Sequence, residues 1–486
     1  MRRALLSGFA LALSLAPTLA PDAAAQRRTA PARAAASAER PKSVVYFVTD
    51  GFGPASATFA REYVQATTGR RSLTFDPHVV GTVQTWATDS RVTDSAAGGT
   101  ALASGVKTYN GAIGVDTTGM AVATILEGAK ARGMATGMVV TSRITHATPA
   151  SFSAHVGSRA MEEDIARQQV ALAPDVMMGG GRRFYLPADA PGGRRRDGAN
   201  LLDTLRAKGF TVATDRAGFD AARRAPFVAL MADDHLAYEV DRDAAREPSL
   251  AEMTEKAIAM LEAKGGSRGF FLMVEASRID HAAHGNDAAG HLHDILAFER
   301  AWQVAVDYAA RTGSTLVVST SDHETGGLTL GRNGPTGQGI YAWRPETLTP
   351  HRASNDVLLP LLRASIASDT TGASAEAILR ERMAIADLTA DERADLVDAL
   401  RHRPGRLALV VNDDIARRAL IAWTTTGHTA VDVNVYAVGP GSRTFAGNHS
   451  NDAIGRRVAE LMGLDLAPIT RELRTRLARQ ARGPGE

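Results

Sequence analysis

Apolar positions along the chain fall into two kinds of run. Short, continuous runs rich in Val, Phe and Met stop at a carboxylate or a glycine, and longer stretches repeat apolar residues at helical spacing. Ser43–Asp50 is of the first kind: it reads as a buried strand with Asp50 where the strand emerges, followed by Gly51-Phe52-Gly53. Ala135–Thr141, Asp175–Gly181, Phe270–Glu275 and Leu316–His323 have the same form, and Val79–Trp86 and Val431–Val438 also read as strands. Met120–Arg132, Leu250–Lys264 and Leu292–Arg311 carry the helical period. Strand-like and helix-like stretches alternate, which predicts an α/β fold.

Ser142–Ala150 reads as a loop and a new helix start, with Pro149 suited to the first helical position. His155 and Arg159 are placed on that helix at i and i+4. Residues 187–250 are charged and broken by Gly and Pro, and Arg194-Arg195-Arg196 within them reads as a solvated loop. Residues 331–405 predict a helical insertion covering one edge of the sheet, with helices around Asp356–Ser365, Ser374–Ala384 and Ala390–Arg401. Arg456–Met462 and Ile469–Ala478 read as terminal helices, and residues 471–486 as a C-terminal tail.

The N-terminus changes the cellular picture. Arg2 and Arg3 precede an apolar run from Ala4 to Ala20, and Ala23-Ala24-Ala25 fits a signal-peptidase site. Residues 1–25 are therefore expected to be a signal peptide, 26–41 an Ala/Pro/Arg-rich tether, and 42–470 the folded domain. Export to the periplasm or medium follows, without a membrane anchor after cleavage. Among 486 residues, 44% are hydrophobic, enough for a sizeable core. The formal charge of +2 implies no broad basic surface, so nucleic acid is not expected as a specific partner. The chain has no cysteine, so a metal must be held by His, Asp, Glu or hydroxyl groups, ligands that suit zinc and magnesium.

Those ligand types recur where strands end. Asp50, Glu275 and Asp322 each close an apolar run. Asp280 and His284 are i,i+4 and face one way from a single helical turn, His323 follows Asp322, and His428 lies further on. Without a cation, three acids at matching strand ends would repel one another and be costly to bury. Asp94-Ser95 is followed by small, helix-compatible residues, which places Ser95 at a helix N-terminus, where amides and the helix dipole favour a bound phosphate.

Together these stretches resemble the alkaline phosphatase family, its bacterial secreted members most closely. The matching motifs are Thr49-Asp-Gly-Phe-Gly53, Val92-Thr-Asp-Ser-Ala-Ala97, Lys107-Thr-Tyr-Asn-Gly111 and Thr145-His-Ala-Thr-Pro149. They continue with Glu275-Ala-Ser-Arg-Ile-Asp280 through His284, Ser321-Asp-His-Glu-Thr325 and Thr426-Gly-His-Thr429. The resemblance implies a large central, mostly parallel sheet flanked by helices on both faces, with a helical insertion. It also implies hydrolysis of small phosphate monoesters through a phosphoserine at Ser95, two zinc ions and one magnesium ion, and a homodimer. Asp280, His284 and His428 would hold one zinc; Asp50, Asp322 and His323 would hold the second; Asp50, Thr148 and Glu275 would take the magnesium. Arg159 would clamp two phosphate oxygens. His146 and His281 stand where one well-known bacterial pattern has an aspartate and a lysine, and are expected beside the third metal and the bound phosphate respectively. A related phosphodiesterase or sulfatase-type hydrolase, or a non-catalytic phosphate- or metal-binding protein, is the alternative.

Overall fold

The computed structural model describes residues 40–367 and 369–481. The expected signal segment and residues 26–39 of the expected tether lie outside the described residues. The strands are β1 Ser43–Val48, β2 Val79–Gln84, β3 Ala135–Arg143, β4 Val176–Gly180, β5 Thr211–Ala213, β6 Phe227–Leu230 and β7 Phe270–Glu275. They continue with β8 Thr315–Thr320, β9 Glu324–Thr325, β10 Leu328–Leu330, β11 Ile421–Trp423, β12 His428–Thr429, β13 Val433–Val438 and β14 Gly447–Ser450. The first eight helices are α1 Pro54–Thr68, α2 Ser95–Ser104, α3 Ile125–Ala131, α4 Ala147–Ser153, α5 Glu162–Leu172, α6 Leu201–Ala207, α7 Arg216–Ala221 and α8 Leu250–Gly265. The rest are α9 Arg278–His284, α10 Ala288–Thr312, α11 Asn355–Ser365, α12 Ala373–Met383, α13 Ala390–Arg401, α14 Leu407–Ala419, α15 Asn451–Leu461 and α16 Leu466–Ala481.

Ten strands form one sheet in the order β14-β2-β13-β8-β1-β7-β3-β4-β6-β5, in which only β13 runs antiparallel to its neighbours. Strands buried on both faces need apolar side chains in both directions. In β1, Val45 and Phe47 enter one core with Phe298 and Trp302 of α10, while Val44, Tyr46 and Val48 enter the other with Ile125 and Leu126 of α3. Each such side chain contributes about 1.5–3 kcal/mol by leaving water. The register fixes what emerges at the C-terminal ends: Val48 pairs with Glu275 on one side and with Thr320 on the other. Asp50, Glu275 and Asp322 therefore leave three adjacent central strands side by side, outside the carboxyl ends where open α/β sheets bind ligands.

Local chemistry moved several boundaries. The helix expected over Met120–Arg132 begins only at Ile125, because Thr124 and Glu127 form a capping box that sets its start. Helix α4 starts at Ala147 with His146 at its N-cap, so Pro149 is its third residue rather than its first. It also stops at Ser153, where Ala154 turns extended, so His155 and Arg159 stand in a loop and not on the helix. Arg195 is not solvated: it is 1% exposed, and Nη1 donates to the carbonyls of Glu163 (2.9 Å) and Phe184 (3.1 Å). The insertion packs through the turn Pro345–Leu348 onto α1, and through α14, which follows it, onto α10, outside one helical layer rather than over an edge of the sheet. Helix α16 continues to Ala481 across the expected tail boundary, with Leu473 buried and Arg474 Nε donating to Ala121 O at 2.7 Å.

Helix α2 is made of small residues, Ser-Ala-Ala-Gly-Gly-Thr-Ala-Leu-Ala-Ser, and every one of them is buried. It is wedged between α4 and α15. Gly455 of α15 permits this approach: a Cβ there would lie 2.6 Å from Ala101 O and 2.7 Å from Leu102 O. We expect Gly455→Ala to cost about 1–3 kcal/mol through backbone displacement. A thermal-unfolding midpoint clearly below wild type is the expected result, and an unchanged midpoint would contradict this packing.

Candidate metal centre

Four carboxylates converge above the central strands. Asp50, Glu275 and Asp322 are fully buried and Asp280 is 3% exposed. Burial, reinforced by the facing carboxylate of Asp322, pushes Asp50 well above the ordinary aspartate range. Burial likewise raises Asp322 and Glu275 to about 7. Asp50 Oδ1, Glu275 Oε1 and Asp322 Oδ2 have no hydrogen-bond partner. Buried oxygens in a folded protein are normally satisfied, and unpaired anionic ones are the costliest to leave unmade. This donor set fits divalent cations.

The histidines fit as well. His284 Nδ1 lies 2.6 Å from Thr426 O and His428 Nδ1 lies 2.9 Å from Thr93 O, so each Nδ1 carries the hydrogen and aims Nε2 inward. The two Nε2 atoms are 3.0 Å apart, beside Asp280 at 3.4 Å and 3.6 Å. Burial opposes charge on His284, but the hydrogen bond and charge of Asp280 push it up to about 9. A proton there occupies the point where a cation would sit. His323 Nδ1 faces Thr325 Oγ1 at 3.2 Å, and that hydroxyl donates to Asp280 Oδ1 at 2.5 Å. His323 Nε2 therefore points at Ser95 Oγ (3.1 Å), Asp322 Oδ2 (3.4 Å) and Asp50 Oδ1 (3.6 Å).

Potential ligand atoms fall into three groups: Asp280–His284–His428, Asp50–Asp280–His323 and Asp50–His146–Glu275. Asp280 thus belongs to the first two groups, with Asp322 alongside the second. Thr148 Oγ1 donates to Asp50 Oδ2 at 3.4 Å, and His146 Nδ1 is buried without a partner. Gly51 lets α9 approach the end of β1 this closely: its φ of +73° suits glycine, and a Cβ would lie 2.6 Å from Asp280 Cα.

Ser95 is the first residue of α2, and Asp94 caps that helix by accepting from Ala97 N. The other Asp94 oxygen accepts from Gly111 N (3.0 Å) and from Arg159 Nη1 (3.1 Å). Arg159 Nη2 reaches His146 Nε2 at 3.1 Å. Asp94 therefore ties the arginine to the serine-bearing helix, a role that the sequence reading missed. His281 lies in a group with His146 and His235, at ring separations of 5.2 and 4.4 Å, and its Nδ1 meets Arg278 Nη1 at 3.1 Å. His235 was also missed. The signal was available: the apolar strand β6 is followed, after Met231-Ala232, by Asp233-Asp234-His235, acids and a histidine just beyond a strand, as at Asp322-His323.

The alkaline phosphatase family model matches residues 41–464. The repressible alkaline phosphatase of Saccharomyces cerevisiae is 39% identical, covering 89% of this chain and 83% of that protein. Alkaline phosphatase 3 of Bacillus subtilis is 35% identical, covering 94% and 95%. The crystal structure of a cold-active alkaline phosphatase from Shewanella sp. superposes with a TM-score of 0.77 at 34% identity, covering 86% of this chain and 99% of that one. The likeness is thus not confined to bacterial members. A buried cluster that fits cations beside a serine at a helix start, and matches of this extent, lead to one conclusion: the chain belongs to the alkaline phosphatase family and is a phosphomonoesterase.

Proposed function

We propose that this phosphomonoesterase works through a phosphoserine on Ser95, at a site that takes two zinc ions and one magnesium ion. The observation that carries the reading is the set of inward-aimed imidazole nitrogens and unpartnered carboxylate oxygens around Ser95 Oγ. Asp280, His284 and His428 would hold one zinc, and Asp50, Asp322 and His323 the other, since mixed imidazole and carboxylate sets suit zinc. Asp50, Glu275 and Thr148 offer oxygen donors that suit magnesium, with the unpartnered His146 nitrogen beside them. Bound there, the cations would neutralise charge on the phosphate and acidify the hydroxyl groups they meet.

The chain's own residues supply the rest. The start of α2 holds Ser95 Oγ where amide groups and the helix dipole favour negative charge. Arg159, oriented by Asp94, would grip two phosphate oxygens with its planar fork. Ser95 Oγ then attacks phosphorus in line, the ester oxygen leaves on the opposite face, and water hydrolyses the phosphoserine by a second in-line displacement. The charged Arg2-Arg3 start and the apolar 4–20 run support export to the periplasm or medium. No helix among the described residues is long and apolar enough to cross a membrane.

Ser95→Ala is expected to lower kcat at least about a thousandfold while retaining bound metal. Pre-steady-state release of the leaving group measures this directly, and an undiminished burst in the variant would contradict the assignment. Arg159→Ala is expected to raise KM for a monoester and Ki for inorganic phosphate about tenfold or more, the worth of charge-assisted hydrogen bonds. Its thermal midpoint should stay near wild type, because Arg159 is 30% exposed at the side chain. A large loss of stability with unchanged phosphate inhibition would make the residue structural instead.

A further inference from the structure

We propose that His155, ion-paired with Glu127, is a positioning residue for Arg159: the pair fixes the 154–161 loop and thereby the aim of the guanidinium. The proposal rests on the reading of Arg159 as the phosphate clamp.

Arg159 sits in a loop without helical hydrogen bonds of its own, so something else must set its direction. His155 is anchored on both ring nitrogens. Nδ1 lies 2.7 Å from Gly114 O and Nε2 lies 3.0 Å from Glu127 Oε1. A carbonyl and a carboxylate only accept, so both nitrogens carry hydrogen and the ring is an imidazolium. Burial opposes that charge, but the hydrogen bond and charge of Glu127 raise His155 above its ordinary value. Glu127 is itself fixed, because its other oxygen accepts from Thr124 N at 2.9 Å in the capping box of α3. The cavity beside the pair is lined by Lys130, Arg167 and Arg476, and Glu127 is the one carboxylate among its lining residues. The imidazolium thus depends on that single anion.

From this anchor the loop is held down rung by rung. Gln168 accepts from His155 N at 2.8 Å and donates to His155 O at 3.1 Å. Val156 and Ile113 exchange backbone bonds of 2.9 and 3.0 Å, and Arg159 N donates to Gly111 O at 2.7 Å. Gly114 lies so close that a Cβ on it would be 2.1 Å from Ala154 O. The segment from Gly111 to Gly114 is therefore shared: it receives the histidine at one end and meets Asp94, the partner of Arg159, at the other. Removing the charge of Glu127 exchanges this charge-assisted pair for a neutral hydrogen bond about half as strong, and the loop loses much of the anchor at its start.

The test is a double-mutant cycle between Glu127→Gln and Arg159→Ala in metal-replete enzyme, reading kcat, KM for a monoester and Ki for inorganic phosphate. Glu127→Gln is expected to raise Ki and KM together, about fivefold to tenfold, with kcat within about twofold of wild type. In the Arg159→Ala background the same substitution is expected to change Ki by less than about twofold. An unchanged Ki in the single variant, or an equal rise in both backgrounds, would overturn the proposal. Arg159→Ala with wild-type Ki would instead bring down the clamp reading, and the proposal with it. If Glu127→Gln fails to fold, His155→Gln, which keeps a donor for Gly114 O or Glu127, carries the same cycle.

Discussion

Four carboxylates held together out of water are the constraint on which the rest of this structure depends. Asp50, Glu275 and Asp322 emerge from three adjacent parallel strands because the register of β8, β1 and β7 leaves them no other place, and Asp280 joins them from the first turns of α9. The desolvation penalty for such ions is several kcal/mol each unless they are paired. The nearby side-chain cation, Arg159, is turned to Asp94 and His146 instead. The surrounding polar groups are arranged to serve a charge at the centre: Thr93 and Thr426 carbonyls and the Thr325 hydroxyl take the Nδ1 hydrogens of His428, His284 and His323, and thereby aim three Nε2 atoms at one region.

Much of this was legible in the sequence. Strands that are buried on both faces must be apolar throughout, so β1, β7 and β8 stood out as runs, and the acids that stop them marked the site. The i,i+4 spacing of Asp280 and His284 and the place of Ser95 at a helix N-terminus were legible from the local sequence alone. What failed to show was decided by tertiary context. Nothing in the spacing of His155 and Arg159 revealed that α4 ends at Ser153, since the chain there turns extended to pair Val156 with Ile113, a partner about forty residues earlier. Arg195 looked like one of three solvated arginines, yet two main-chain carbonyls and Asp197 draw it inside. Asp94 caps α2, and its second role appears only when Gly111 and Arg159 fold back onto it.

The site thus divides its labour. Rigid strand ends, α9, β12 and the start of α4 carry the candidate cation ligands, whose positions must repeat closely. The group assigned to the phosphate stands on a loop, fixed by side chains from α3 and α5 rather than by the sheet. That arrangement sets the aim of Arg159 apart from the strand ends, while its contact with His146 at 3.1 Å links it to the third candidate ligand group, and the loop is bonded heavily along its length.

The central claim is that the carboxylate cluster is stable as a cation site. The most direct measurement is the metal content and thermal midpoint of the purified protein before and after chelation, and again after zinc and magnesium are returned. The account predicts bound zinc and magnesium at the outset, a midpoint lower by at least about 5 °C once they are stripped, and recovery on refilling, since ligands that bind only the folded state stabilise it by mass action. A midpoint indifferent to complete metal removal would contradict it.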